Sequence, residues 1–313
     1  MFNLIEKEKQ AIERLKAFAP KTEPYYLCYS GGKDSDTIRI LAKLADVPHE
    51  IHHNLTTVDA PETVQYIKTI PEVIIDKARY EDGTPKTMWN LMVKKRMPPT
   101  RIARWCCTHL KEHGGEGRLK ITGVRWSESS SRSEHSADIN IIGKPKSTEK
   151  RLSEMGFDFR ITKQGGIAMS VSSGDNSALR SEADIIHQCY KDRSVTVNPI
   201  VDWSDTDVWS FLHYYGVEGN PLYQCNHTRI GCIGCPMAGY KKQRAVLALY
   251  PKYKANYIRA FDNMLKARIK DGLPTEWKNG IEVMKWWTGE DTNNLTMFSD
   301  DELYEIMNDI ESR

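Results

Sequence analysis

Two groups of residues in this sequence have the types and spacing to do chemistry. The first is Ser30-Gly31-Gly32-Lys33-Asp34-Ser35. Paired glycines let the backbone turn tightly and leave its N–H groups unshielded, and a helix starting directly behind them adds unpaired donors and partial positive charge. Such a segment suits a phosphate. Lys33 supplies a full positive charge, and Asp34 is placed either to help hold a divalent metal ion or to cap the helix. A Walker A loop is excluded, because that motif needs glycine where Leu27 stands and Ser or Thr directly after the lysine, where this chain has Asp34.

The second group is cysteine. Cys232-Ile233-Gly234-Cys235-Pro236 is a Cys-x-x-Cys bounded by proline, and the adjacent pair Cys106-Cys107 lies far upstream. A tight glycine turn brings two thiolates to the same side, and four sulfurs complete a metal site that zinc or an iron–sulfur cluster would accept equally by ligand count and softness. Neighbouring side chains diverge in a helix or strand, which makes vicinal cysteines awkward joint ligands, so Cys225 stands as a rival fourth ligand. His109, His113 and His227 lie near these cysteines and read as surface or core histidines. Cys28 and Cys189 read as small buried hydrophobes.

These residues need elements to hold them. The uncharged run Tyr25 to Tyr29 reads as a strand, and Ile38, Leu41, Ala42 and Ala45 have helical spacing, so the first group sits on a strand–loop–helix unit. Before it, residues 1–20 read as a helix burying Ile5, Ile12, Leu15 and Phe18. Strands are expected at Val47 to His53, Val73 to Asp76, Leu119 to Val124 and Asn198 to Trp203, and helices at Glu62 to Ile70, Trp89 to Lys95 and Val208 to Tyr215. Ser204 with Asp207 has the form of a capping box for the last of these. Asp59 falls just beyond the second strand, where ligands meet open parallel sheets, and Arg125 and Arg132 follow Gly123-Val124 at another strand end, placed to clamp phosphate or sulfate. Residues 133–184 read as an insertion or flap carrying weak strands at Ile139 to Ile142 and Asp158 to Ile161. The tail is helical in pattern, with a last helix opening at Asp300.

Alternating strands and helices imply an α/β fold, a doubly wound parallel sheet with a helical C-terminal region: a nucleotide-binding domain over 1–240 and an extension over 241–313. A formal net charge of +2 in 313 residues decides nothing about partners. Lysines and tyrosines interleave at Tyr240-Lys241-Lys242-Gln243-Arg244 and Tyr250-Pro251-Lys252-Tyr253-Lys254, a pattern open to nucleic acid and equally to a solvated helix face. Seven cysteines, two of them adjacent, fit metal or redox chemistry in a reducing compartment better than a disulfide framework. The N-terminus lacks the apolar core of a signal peptide and no apolar stretch approaches the ~18 residues of a membrane span, so a cytoplasmic protein without membrane contact is expected.

Ser30 to Ser35, Arg104-Trp105-Cys106-Cys107, Gly123-Val124-Arg125, Asn198-Pro199-Ile200-Val201-Asp202-Trp203, and Asn220-Pro221-Leu222-Tyr223 followed by Ile230 to Cys235 together resemble the phosphoadenosine phosphosulfate (PAPS) reductase family, within the adenine nucleotide alpha-hydrolase-like, N-type ATP pyrophosphatase superfamily. The resemblance implies ATP and Mg²⁺ at Ser30, Gly31, Gly32, Lys33, Asp34 and Ser35, with Asp59 and Arg125 as further nucleotide contacts. It also implies a [4Fe-4S] cluster, with zinc as the alternative, on Cys106, Cys107, Cys232 and Cys235. The loop is the intact ATP-binding form, as in the small subunit of ATP sulfurylase and in DNA phosphorothioation enzymes, and no cysteine follows Cys235 to match the C-terminal nucleophile of the sulfonucleotide reductases. The function so implied is adenylation of a substrate followed by sulfur transfer, with a sulfur-donor protein as partner. PAPS or adenylyl sulfate reduction and a non-catalytic nucleotide-binding role are the alternatives.

Overall fold

The computed structural model of the chain describes residues 2–128, 139–142, 159–161, 167–169, 187–189, 195–225 and 227–290. Most of the expected insertion, Arg132 and the helix expected from Asp300 lie outside these residues. The chain divides into two compact units. The first comprises the described residues of Met1–His53, Gln65–Ile75 and Gly114–Ile230; the second comprises those of Asn54–Val64, Asp76–His113 and Gly231–Arg313.

In the first unit, α1 (Phe2–Ala17) leads into β1 (Tyr25–Cys28), α2 (Lys33–Leu44) and β2 (His49–Asn54). After α3 (Pro61–Lys68) come β3 (Val73–Asp76), β4 (Leu119–Ile121), the short strands β5 (Ile139–Ile142), β6 (Phe159–Ile161), β7 (Ile167–Met169) and β8 (His187–Cys189), then β9 (Val195–Val197). The sheet order is β3-β2-β1-β4-β9-β5-β8. β1 runs parallel to β2 and β4, and β4 parallel to β9, while β5 joins β9 antiparallel and β6 pairs antiparallel with β7. The sheet is thus parallel around the glycine loop and mixed at its far edge.

Side chains alternate across this sheet as the pleat requires. Tyr25, Leu27, Ile51, Leu119, Ile121, Val195 and Val197 face one apolar core, closed by Ala11, Leu15 and Phe18 of α1, by Ile38, Leu41 and Ala42 of α2, and by Val208 and Phe211 of α5 (Asp205–Tyr214). The opposite face is polar: the ring of Tyr26 stacks on His52 at 4.0 Å, with the Arg118 guanidinium 5.5 Å from its centre. Ile5, expected inside, is 65% exposed; Arg14 takes the buried position, donating to Asp202 and to the Pro199 carbonyl. The strand expected at Asn198 to Trp203 ends instead at Val197, and the chain beyond it turns, which carries Trp203 into the core.

The second unit is helical. α4 (Met88–Lys95), capped by Thr87, packs against α7 (Pro251–Lys270), which also meets α6 (Tyr240–Leu249) and α8 (Gly280–Trp287). The tail therefore does not stand alone: its helices share a core with residues 76–113. Tyr257, Phe261 and Trp287 form an aromatic cluster joined by Trp89, with ring centres 4.8–6.1 Å apart. No helix among the described residues is long and apolar enough to cross a membrane.

Candidate functional site

The glycine loop follows β1 directly. Gly31 has φ +72°, a left-handed conformation that a side chain would strain, and Gly32 is the N-cap of the 12-residue α2. The Ser35 hydroxyl accepts the Gly32 N–H at 3.0 Å and donates to the Gly32 carbonyl at 2.7 Å, so the serine sets the turn. Ser30 Oγ lies 3.3 Å from Ser35 Oγ. Two residues outside the expected set hold the loop from a distance in sequence. Asn220 donates to the Gly31 carbonyl at 3.0 Å, and the Tyr223 hydroxyl accepts the backbone N–H of Lys33 at 2.9 Å. Both belong to Asn220-Pro221-Leu222-Tyr223, but a contact reaching across 190 positions leaves no local signal of which atom it touches.

Charge around Lys33 is arranged in alternation. Its ammonium lies 3.1 Å from Asp34 and 3.2 Å from Asp205, and Arg125 donates from Nε to Asp34 and from Nη2 to Asp205, both at 2.7 Å. Arg125 Nη1 also donates to Ser127 and to the Trp203 carbonyl. The sequence suggests an arginine reaching for an anion; the structure buries Arg125, 1% exposed, and commits each guanidinium nitrogen to protein, so its present part is to fix Asp34 and Asp205. Burial works to raise the Asp205 carboxyl, but the hydrogen bonds and charges of Arg125 and Lys33 outweigh it and hold it below the ordinary range. Asp205 was legible only as the residue after a helix cap; the capping box itself forms, Ser204 Oγ accepting the Asp207 N–H and the Asp207 carboxylate the Ser204 N–H.

The four expected metal cysteines all fall in the second unit. Cys106 precedes a π turn at Cys107–Lys111, and the two adjacent thiols act on each other. The neighbouring Cys107 pushes the Cys106 thiol up, reinforced by burial and by the charges of Cys232 and Cys235. Cys106 in turn holds the Cys107 thiol below its ordinary value, against burial and with help from Arg104, whose Nη2 lies 3.6 Å from Cys107 Sγ. Cys232 is pushed up to about 12, first by burial and then by the Asp59 carboxylate; its thiol lies 3.5 Å from Thr56 Oγ1. The aromatic cluster braces the backbone within the Cys-x-x-Cys turn and the segment that leads to Cys106. Tyr257 donates to the Ile233 carbonyl at 2.9 Å, and Trp287 donates to the Pro99 carbonyl ahead of Cys106 at 2.6 Å.

Cys106 feels the charges of Cys107, Cys232 and Cys235, and the four thiols are a sulfur-only set whose chemistry fits a thiolate-bound cluster or zinc. As the side chains stand, no three His, Cys, Asp or Glu among the described residues are arranged round one ion. Cys225 is exposed and belongs to the first unit, Cys28 is half-buried, and the side chain of Cys189 lies outside what is described. Asp59 lies beside the cysteines in the second unit: its carboxylate accepts the Thr56 N–H at 2.7 Å and its carbonyl accepts the Tyr253 hydroxyl at 3.1 Å. Tyr250 donates to Glu62 at 2.9 Å, so these two tyrosines of the basic tail bind the protein's own groups, while Lys241, Lys242 and Lys252 are exposed.

Comparison with known proteins bears on the same stretch. Residues 24–238 match the phosphoadenosine phosphosulfate reductase domain. An uncharacterized protein of Methanocaldococcus jannaschii is 26% identical over 267 residues, which cover 79% of this chain and 53% of that protein. The adenosine 5′-phosphosulfate reductase of Anoxybacillus flavithermus is 28% identical over 69 residues, 22% of this chain and 29% of that enzyme. That of Allochromatium vinosum is 40% identical over 42 residues, 13% and 16% of the two chains. The chain thus spans about half the length of the archaeal relative and the matches span less than a third of either reductase. Among solved structures, the PAPS reductase of Candida auris in its phosphate complex is similar with a TM-score of 0.41 at 12% identity, covering 73% of this chain and 93% of that one. The FMN adenylyltransferase of Candida glabrata in complex with ATP gives 0.38 at 14%, covering 74% and 63%. Since the domain match takes in well over half of the 313 residues, this chain belongs to the phosphoadenosine phosphosulfate reductase domain family.

Proposed function

We propose that the protein is an ATP pyrophosphatase-type enzyme that adenylates a substrate oxygen and supports its replacement by sulfur. One observation carries the reading: the loop Ser30–Ser35 turns directly from β1 into the N-terminus of α2, with Lys33 at the first helical position. A substrate oxygen attacks the α-phosphorus of ATP, the bond to the bridging oxygen breaks, and pyrophosphate leaves. Negative charge grows on the departing group, where Lys33, the loop N–H groups and the helix terminus stabilise it. Asp34, which accepts from Arg125, would hold Mg²⁺ with the phosphates. Ser30, Gly31, Gly32 and Ser35 shape the cradle. Sulfide-level sulfur released by a donor protein then forms a bond to the activated carbon as the carbon–oxygen bond breaks, and AMP leaves with the oxygen.

Cys106, Cys107, Cys232 and Cys235 are proposed to hold a [4Fe-4S] cluster, which when bound supplies thiolate-ligated iron able to carry sulfur or electrons. The exposed Lys241, Lys242 and Lys252 support a nucleic acid as one candidate acceptor. A second reading, reduction of adenylyl sulfate, is favoured by the adenosine 5′-phosphosulfate reductases among the relatives. Product analysis separates them. With ATP, Mg²⁺ and a sulfur source, AMP and pyrophosphate should form in equal amounts and be lost in Lys33→Ala. Formation of ADP and phosphate, or release of sulfite from adenylyl sulfate with no attack on ATP, would refute the proposal.

A further inference from the structure

We infer that Asp205 is a specificity-determining residue: its carboxylate is a resident counter-ion of Lys33, so that the loop takes a polyphosphate as its divalent-metal complex and resists the bare anion. This rests on the reading of Ser30–Ser35 as a polyphosphate site. The observations behind it all lie within the first unit.

Lys33 is the one full positive charge of the loop, its side chain 8% exposed, and two carboxylates already flank it at 3.1 and 3.2 Å. Arg125 bridges the same two carboxylates, so two cations and two anions close a ring with no net charge. The backbone donor of Lys33 is also occupied, by the Tyr223 hydroxyl. A bare pyrophosphate approaching Lys33 therefore meets two like charges at short range and finds no uncompensated cation. A divalent ion travelling with the phosphates offsets both carboxylates and removes that repulsion.

The two carboxylates are not equivalent. Asp34 belongs to the loop-helix junction itself and its side chain is 22% exposed, whereas Asp205 reaches in from the first residue of α5 with its side chain 71% exposed. Ion pairs of an exposed carboxylate are individually weak, so Asp205 is the partner that Lys33 can exchange for a phosphate. Arg125 keeps Asp34, Ser127 and the Trp203 carbonyl when it does.

The test is calorimetric titration of inorganic pyrophosphate into the full chain, in EDTA and in Mg²⁺, for wild type, Asp205→Asn and Asp205→Glu. Asparagine keeps an oxygen for Arg125 and deletes the charge; glutamate keeps the charge. In EDTA, Asp205→Asn should bind at least about tenfold more tightly than wild type, and in Mg²⁺ the gap should close to within about threefold. Asp205→Glu should follow wild type. Metal-free affinities of wild type and Asp205→Asn within about twofold, weaker binding by Asp205→Asn, or equal tightening by Asp205→Glu would each overturn the counter-ion role while leaving the loop a polyphosphate site. If none of the proteins binds pyrophosphate in either condition, the loop reading falls as well.

Discussion

The hydroxyl of Tyr29 donates to Asp36 Oδ1 at 2.6 Å, tying the last residue of the strand side of the glycine loop to the first turn of α2. Tyr66 donates to the other oxygen of Asp36 at 2.9 Å, and Arg39 Nε lies 3.7 Å away. Asp36 is fully buried, so Asp36→Ala leaves two phenolic hydroxyls without their acceptor and should destabilise the fold by about 2–4 kcal/mol, read from urea unfolding. Burial raises the Asp36 carboxyl, opposed by the hydrogen bonds from Tyr29 and Tyr66 and by Arg39. With the folded value raised, the contribution of Asp36 is fully present below the ordinary carboxylate pKa and is lost as pH rises through the folded value. Wild type minus Asp36→Asn stability should therefore fall across that window and then level off; a difference that grows with pH would show the opposite sign.

Arg125 carries a second prediction. Removing a buried guanidinium leaves the Trp203 carbonyl and Asp34 short of a donor, while the exposed Asp205 turns to water, so Arg125→Ala should lose about 1–3 kcal/mol of stability. Arg125→Lys should recover only a fraction, because a point charge cannot reproduce the planar fork. If Arg125→Ala melts like wild type and only weakens nucleotide binding, the arginine is a ligand contact and not a brace.

How much of this was legible in the sequence differs by residue. Strand, glycine loop and helix around Ser30–Ser35 could be read because each signal is local: an apolar run, two glycines, a 3.6-residue period. Tyr223 and Asp205 could not, since their roles are contacts 190 and 172 positions from Lys33 that no periodicity reports. Arg125 is legible by its type but its contacts to Asp34 and Asp205 are not, because a strand-end arginine looks the same whether it faces a ligand or two aspartates. The Cys106–Cys107 pair reads as divergent on helix and strand geometry, and the π turn at which it stands is an element that no periodicity of the sequence reports. Ile5 fits the helical period of α1 and still faces out, because the buried stripe runs through Ala11, Arg14, Leu15 and Phe18.

Gly234, between the paired cysteines, has φ +74°, and a Cβ there would stand 3.0 Å from both Trp287 and Tyr257. Gly234→Ala should cost about 1–3 kcal/mol through strain and displacement of the aromatic cluster, measured by thermal or urea unfolding. Unchanged stability would mean that the turn does not depend on this packing.

The cysteine proposal predicts a composition. Anaerobically purified protein should carry about four irons with matching sulfide and a broad visible absorption, all lost in Cys232→Ala but retained in Cys225→Ala. Zinc in place of iron, or retention of metal in Cys232→Ala, would refute the cluster on this set.

The most direct measurement is equilibrium competition between ATP with Mg²⁺ and adenylyl sulfate for wild type and Lys33→Ala. If Ser30–Ser35 holds the polyphosphate of ATP, ATP binds wild type, adenylyl sulfate competes poorly, and Lys33→Ala weakens ATP by at least about tenfold. Tight adenylyl sulfate binding that ATP cannot displace, unaffected by Lys33→Ala, would contradict this and make the protein a sulfonucleotide-binding enzyme.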